Sequence, residues 1–122
     1  MASVEWWRNT SQHMWRTYFA LRRQKEESPP DGQPEISDAN ARIYAACDRI
    51  YRERFVKSDQ DILRMYFTSR WGDDLYAVED YSLKHNVPVK VIWIVIRRAN
   101  REIMEEIGLL ERKEEENEDT GD

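Results

Sequence analysis

Residues 78 to 99 read VEDYSLKHNVPVKVIWIVIRRA and form the most informative segment of the sequence. The small residue Ser82 stands four positions before Asn86, and asparagine accepts the positive φ of a sharp turn second only to glycine. Val87 can fill the space between the two helices that such a turn joins. The apolar residues of the second helix follow the turn at helical spacing, at Ile92, Val95, Ile96 and Ala99. This pattern predicts two closely crossing helices, a helix-turn-helix.

The N-terminal residues predict a long amphipathic helix. It runs from about Ser3 to Glu27, because apolar residues recur three and four positions apart along it. The stripe consists of Val4, Trp7, Ser11, Met14, Tyr18 and Leu21, widened by Trp6, Trp15 and Phe19. The opposite face is basic. We expect the apolar stripe to pack on its own domain; a surface for a second copy or a partner is the alternative.

Two further helices follow a proline-rich linker at 28–36. Ser37 or Asp38 can cap the second helix. Its apolar stripe is Tyr44, Cys47, Tyr51 and Phe55, flanked by Ile43 and Ile50. Ser58–Asp61 resembles a capping box and predicts a third helix over Asp59–Phe67. The residues we expect this helix to bury are Ile62, Leu63, Tyr66 and Phe67.

The last two helices flank the turn at Asn86. Asp73 or Asp74 can cap a helix that ends at His85. A longer helix, with Pro88 in its first turn, runs to about residue 107, where Gly108 is placed to end it.

These patterns predict an all-α fold, in which N-terminal amphipathic helices pack with a C-terminal helix-turn-helix. Residues 1–57 form the N-terminal helical region and residues 58–108 the region of the helix-turn-helix. Residues 109–122 are rich in acids and poor in apolar groups, which predicts a disordered tail.

Charge is segregated along the chain. The net charge is −5, but the segment from Glu102 to Asp122 holds ten acids and two bases, which leaves +3 for residues 1–101. From Lys84 to Arg101 there are five bases and no acid. A basic patch beside the turn is typical of proteins that bind nucleic acid, and the acidic tail could tune that binding by folding back over the patch. A tail that only maintains solubility is the alternative.

The outward face of the last helix is the candidate binding surface. Lysine and arginine contact phosphates and guanine edges in the major groove, and apolar side chains contact the thymine methyl. The candidate residues on and beside this face are Val89, Lys90, Trp93, Ile94, Arg97, Arg98 and Arg101. The alternative is that Trp93 and Ile94 pack on the N-terminal helices and leave only the basic residues outside.

The helices from Asp59 to Ala99 resemble region 4 of bacterial sigma factors. The run from Ser58 to Leu110, about half the chain, is similar to small phage-encoded regulators of the ArpU/RinA type, which act on late phage genes. The resemblance implies a DNA-binding transcription regulator. It makes Val89, Lys90, Trp93, Ile94 and Arg97 the DNA-reading face, with duplex DNA and bacterial RNA polymerase as the partners.

No residue pattern predicts an enzyme, a cofactor or a metal site. Cys47 is the single cysteine and has no activating base nearby in sequence. His13 and His85 lie on different predicted helices, and we expect His85 to be half-buried in the core. There is no glycine-rich phosphate loop and no metal-ligand spacing. The longest apolar run, Val91–Ile96, is far shorter than the roughly 20 residues of a membrane span. We therefore expect a cytoplasmic protein of a bacterial host cell.

Two alternatives to the regulator remain open. One is a DNA-packaging adaptor similar to a terminase small subunit, which joins a helix-turn-helix to an oligomerising helix, here the N-terminal one. The other is a protein-interaction module that has kept the fold without DNA binding.

Overall fold

A computed structural model describes residues 4–33, 35–69 and 75–108, and the side chains of the first helix from residue 9 onward. In these ranges the chain forms five α-helices and no strand, so the all-α prediction is confirmed. The helices are α1 (Val4–Glu27), α2 (Asp38–Arg54), α3 (Lys57–Phe67), α4 (Leu75–His85) and α5 (Val89–Glu106), with a 3₁₀ turn at Pro30–Gly32. The predicted caps Asp73 and Asp74 and the acidic tail lie outside the described residues.

An aromatic cluster centred on Trp15 joins α1 to the rest of the core. The Trp15 indole is fully buried and donates a hydrogen bond of 2.9 Å to the Ala99 carbonyl on α5. Its ring stacks on Phe67 of α3 at a centroid distance of 5.9 Å. Trp15 and Phe19, expected only to widen the stripe of α1, are buried deeper than Met14. The buried face of α1 is thus rotated toward its largest side chains, which fill the space between helices.

The corner between α2 and α3 is closed by an amide side chain. Ser37 caps α2 as predicted, accepting a hydrogen bond of 3.2 Å from the Asn40 amide. The capping box predicted at Ser58 is wrong, because α3 begins at Lys57, two residues earlier than predicted, and its N-cap, Val56, has no side-chain bond. Instead, Gln60 Nε2 donates to two carbonyls at the end of α2, Tyr51 at 2.8 Å and Phe55 at 3.0 Å. Two of the carbonyls left without a helical partner at the end of α2 are satisfied in this way.

Ion pairs tie α2 to the C-terminal half of α5. Arg54 pairs with Glu102 and Glu106, and Arg49 pairs with Glu106. The Glu106 side chain is mostly buried by these contacts. The acidic run of the sequence therefore begins inside α5, where its first carboxylates neutralise arginines of a neighbouring helix.

The helical hairpin α4–α5 turns where the sequence places the turn. Asn86 has a φ of 53°, and among non-glycine residues in the described ranges only it has a positive φ. Ser82 Oγ donates to the Val87 carbonyl at 2.6 Å, and the Val87 amide donates to the Ser82 carbonyl at 3.2 Å. Pro88 is the N-cap of α5 rather than a first-turn residue, and Gly108 follows the C-cap with a φ of 83°. The predicted buried row is confirmed: Ile92, Val95, Ile96 and Ala99 are all buried.

The left-handed backbone at Asn86 gives a prediction for its substitutions. Asn86→Val should lower the free energy of unfolding by about 1–2 kcal/mol, because a β-branched side chain clashes with the backbone at this φ. Asn86→Gly should leave stability within about 0.5 kcal/mol of the parent chain and serves as the control. Urea unfolding followed by circular dichroism measures both changes. A valine variant as stable as the glycine variant would show that the turn has another geometry.

Candidate nucleic-acid interface

The exposed face of α5 centres on Lys90, Ile94 and Arg97, and Val91 and Arg98 are exposed at its edge. The two basic residues are seven positions apart, which places them on the same side of the helix and about 10 Å apart along its axis. Ile94 lies between them and is 50% exposed. The centre of this face therefore presents two cationic side chains around one apolar one, and Val91, which is 42% exposed, adds a second apolar side chain at the edge.

Two other predicted residues of the face are turned partly inward. The Trp93 ring packs edge-on against Tyr66 of α3, with centroids 5.6 Å apart and an interplanar angle of 75°. Trp93 and Val89 are both half-buried and pack against the core. This contact fixes the orientation of α5 on α3, so Trp93 positions the exposed face of α5.

Arg98 and Arg101 have partners within the protein. Arg98 donates to the Arg54 carbonyl at 2.7 Å, and its guanidinium lies 4.5 Å from the centroid of the Phe55 ring. Arg101 pairs with Glu105 at 2.9 Å. Both side chains keep some exposed surface. They border the exposed face, but part of their hydrogen-bonding capacity is already used.

Lys90 and Arg97 differ from these neighbours because, within the described ranges, neither is held by another helix or by a carboxylate. The single hydrogen bond found for the Arg97 side chain is a long one of 3.4 Å to the Trp93 carbonyl of its own helix. Lys84, another base of the same run, pairs with Asp80 at 3.0 Å. Lys90 and Arg97 are therefore the bases of α5 whose side chains are most available to a ligand, and Arg98 adds a charge without a carboxylate partner beside them.

An exposed apolar stripe on α4 was not anticipated from the sequence. Tyr76 is 77% and Leu83 is 85% exposed, and their seven-residue separation places them on one side of the helix. The seven-residue spacing of these two side chains is the feature of the sequence that could have predicted the stripe. His85, expected to be half-buried, is exposed, and its ring stacks on Tyr81 at 4.1 Å. The prediction for His85 is wrong because the last turn of α4 extends beyond the core.

The described residues contain no arrangement that suggests a metal site or a reactive thiol. No group of three or more histidine, cysteine or acidic residues in those ranges could hold a metal ion. Cys47 is buried, and burial raises the pKa of its thiol far above the usual value. None of the described helices is long and apolar enough to cross a membrane.

Comparison with known proteins adds no relative: no family model, curated protein or solved structure matches the chain.

Proposed function

We propose that this chain binds duplex DNA with the α4–α5 hairpin acting as a helix-turn-helix. The observation that carries the proposal is the pair of unneutralised bases, Lys90 and Arg97, on the exposed face of a helix that directly follows a sharp turn. A helix in this position can enter the major groove, where its outward side chains contact phosphates and base edges.

Each residue of the face has a distinct chemical role in the proposal. Lys90 contacts phosphate as a point charge, and Arg97 can donate two hydrogen bonds to a guanine edge or to a phosphate. Ile94, exposed between them, contacts a thymine methyl. Trp93 and Val89 position the helix, and Arg98 and Arg101 extend the positive potential at its border.

The biological role is proposed from the resemblance to sigma region 4 and to phage late-gene regulators. In that role the chain regulates transcription, with bacterial RNA polymerase as its partner. A DNA-packaging adaptor would use the same face of α5 but would assemble into a ring.

A protein-interaction module is the second candidate, and the apolar stripe of α4 favours it. Tyr76 and Leu83 expose large side chains that DNA binding by α5 does not explain. In this candidate the bases of α5 serve solubility.

A selection from genomic DNA fragments of a bacterial host and its phages, run at two salt concentrations, tests the proposal. We expect enrichment of a common sequence at both salt concentrations and weaker binding at the higher one, because contacts to phosphate release counterions. Binding without enrichment would indicate a non-specific function. Absence of binding at the lower salt concentration would contradict the proposal and favour the interaction module. Size measurement of the free protein separates a ring-forming adaptor from a regulator.

A further inference from the structure

A basic groove lies between α1, α2 and α3, on elements other than the α4–α5 hairpin. It is an open cavity of about 510 Å³. Four cationic side chains line it, from three helices, and one carboxylate, Asp61, lies among them. The four cationic residues are Arg22, Arg52, Lys57 and Arg64.

Three of the four cations of this groove pair with acids of their own helices. Arg22, Arg52 and Arg64 each pair with an acid one turn away on their own helix, at 3.3, 2.9 and 3.0 Å. Pairs within one helix contribute little to stability, so an incoming anion can compete with their carboxylates, most readily at the exposed Arg64–Asp61 pair. Arg22 is held more firmly, because it is half-buried over the Tyr51 ring and donates to the Tyr18 hydroxyl. Lys57 has no ion pair within the described ranges. By contrast, the arginines that join α2 to α5 bind carboxylates that are mostly buried, so they are not available to a ligand.

We propose that this groove binds a phosphate group. Three guanidinium groups offer planar pairs of donors that match phosphate oxygens, and Lys57 adds a compact charge. Backbone amides at the start of α3 add donors, because the N-cap Val56 supplies no side-chain acceptor. The phosphate belongs either to a nucleic-acid backbone or to a small phosphorylated molecule. The site is independent of the proposed DNA-binding face of α5.

Titration of the ¹⁵N-labelled full chain with inorganic pyrophosphate, followed by NMR, tests this proposal. We expect saturable shifts that are largest at the amides of Lys57–Asp61 and at the side-chain Nε of Arg22, Arg52 and Arg64. Lys57→Ala should weaken pyrophosphate binding about two- to fivefold, and Asp61→Asn should tighten it by a similar factor, because it removes the opposing carboxylate. A misfolded protein would bind pyrophosphate more weakly, so a gain of affinity in Asp61→Asn cannot arise from misfolding.

The matched control is Arg42→Ala, which removes an exposed base of α2 outside the groove. Arg42→Ala should leave the affinity for pyrophosphate unchanged, as should the Lys90→Ala/Arg97→Ala double variant. Equal effects of Lys57→Ala and Arg42→Ala, or shifts centred elsewhere, would overturn the proposal. Because Lys90 and Arg97 are not involved, loss of DNA binding would leave these results untouched.

Addition of duplex DNA to the pyrophosphate-bound protein identifies the source of the phosphate. Displacement of pyrophosphate, with the same response to Asp61→Asn, assigns the groove to the DNA backbone. Retention of pyrophosphate while DNA binds assigns it to a small phosphorylated molecule. Either result supports a phosphate site.

Discussion

Replacing Trp15 by alanine is expected to lower the free energy of unfolding by about 3–5 kcal/mol, the range for removing a large buried aromatic side chain. Trp15 is fully buried and contacts Phe67 of α3 while its indole donates to the Ala99 carbonyl of α5. The substitution leaves a cavity where three helices meet and removes a hydrogen bond that links α1 to α5. Since small domains are stable by only about 5–15 kcal/mol, much of the stability would be lost.

Urea unfolding at constant temperature measures this loss, with Trp93→Ala as the matched control. Trp93 is half-buried and packs on one ring, so its removal should cost less than removal of Trp15. Trp15→Phe should fall between the parent chain and Trp15→Ala, because it keeps most of the ring but not the N–H donor. A Trp15→Ala variant within about 1 kcal/mol of the parent chain would contradict the assigned core, given the same principle.

The α4–α5 hairpin could be predicted from the sequence because its determinants are local. Asn86 alone has the backbone tolerance that the turn requires, and the row from Ile92 to Ala99 follows from helical periodicity. Ser37 was recognised as a cap for the same reason, because its hydrogen bond joins residues three apart.

Features that depend on distant residues could not be predicted. Nothing near Trp15 in the sequence indicates that its indole reaches Ala99, 84 residues away. At the start of α3 the sequence offers a plausible capping box, but Gln60 closes the corner by binding carbonyls of another helix. Local capping patterns therefore mislead where the tertiary structure supplies the partner.

The candidate site likewise combines features that the sequence predicts with features that depend on distant residues. Periodicity identifies the face of α5 but not which of its basic side chains are held by contacts to other helices. Arg98 is held by the end of α2, whereas Lys90 and Arg97 have no ion pair within the described ranges. The packing of Trp93 on Tyr66 likewise needed the position of α3. Charge counts along the sequence overestimate the bases available for binding, because they ignore these contacts.

Reversing the charges of Lys90 and Arg97, in the Lys90→Glu/Arg97→Glu variant, is expected to abolish measurable DNA binding at moderate salt. The variant loses two contacts to DNA and places two carboxylates against phosphates. Neutralisation alone should lower the slope of log affinity against log salt by about two, one for each lost contact. Reversal adds repulsion to that loss. Stability should change little, because both side chains are exposed.

A control variant of equal net charge distinguishes the loss of direct contacts to DNA from general electrostatic repulsion. Lys25→Glu/Arg42→Glu reverses two exposed bases on α1 and α2, so it shifts the total charge by the same amount at a different place. Long-range repulsion from DNA would be similar in the two variants. The two variants should therefore differ in DNA affinity only if α5 contacts DNA directly.

Binding of these two variants to the same duplex, measured by fluorescence anisotropy across a salt series, tests the DNA-binding role of α5 most directly. A direct role of α5 predicts that Lys25→Glu/Arg42→Glu keeps most of the affinity and the salt dependence of the parent chain, and that Lys90→Glu/Arg97→Glu loses both. Equal losses in the two variants, or DNA binding retained after reversal at Lys90 and Arg97, would contradict it.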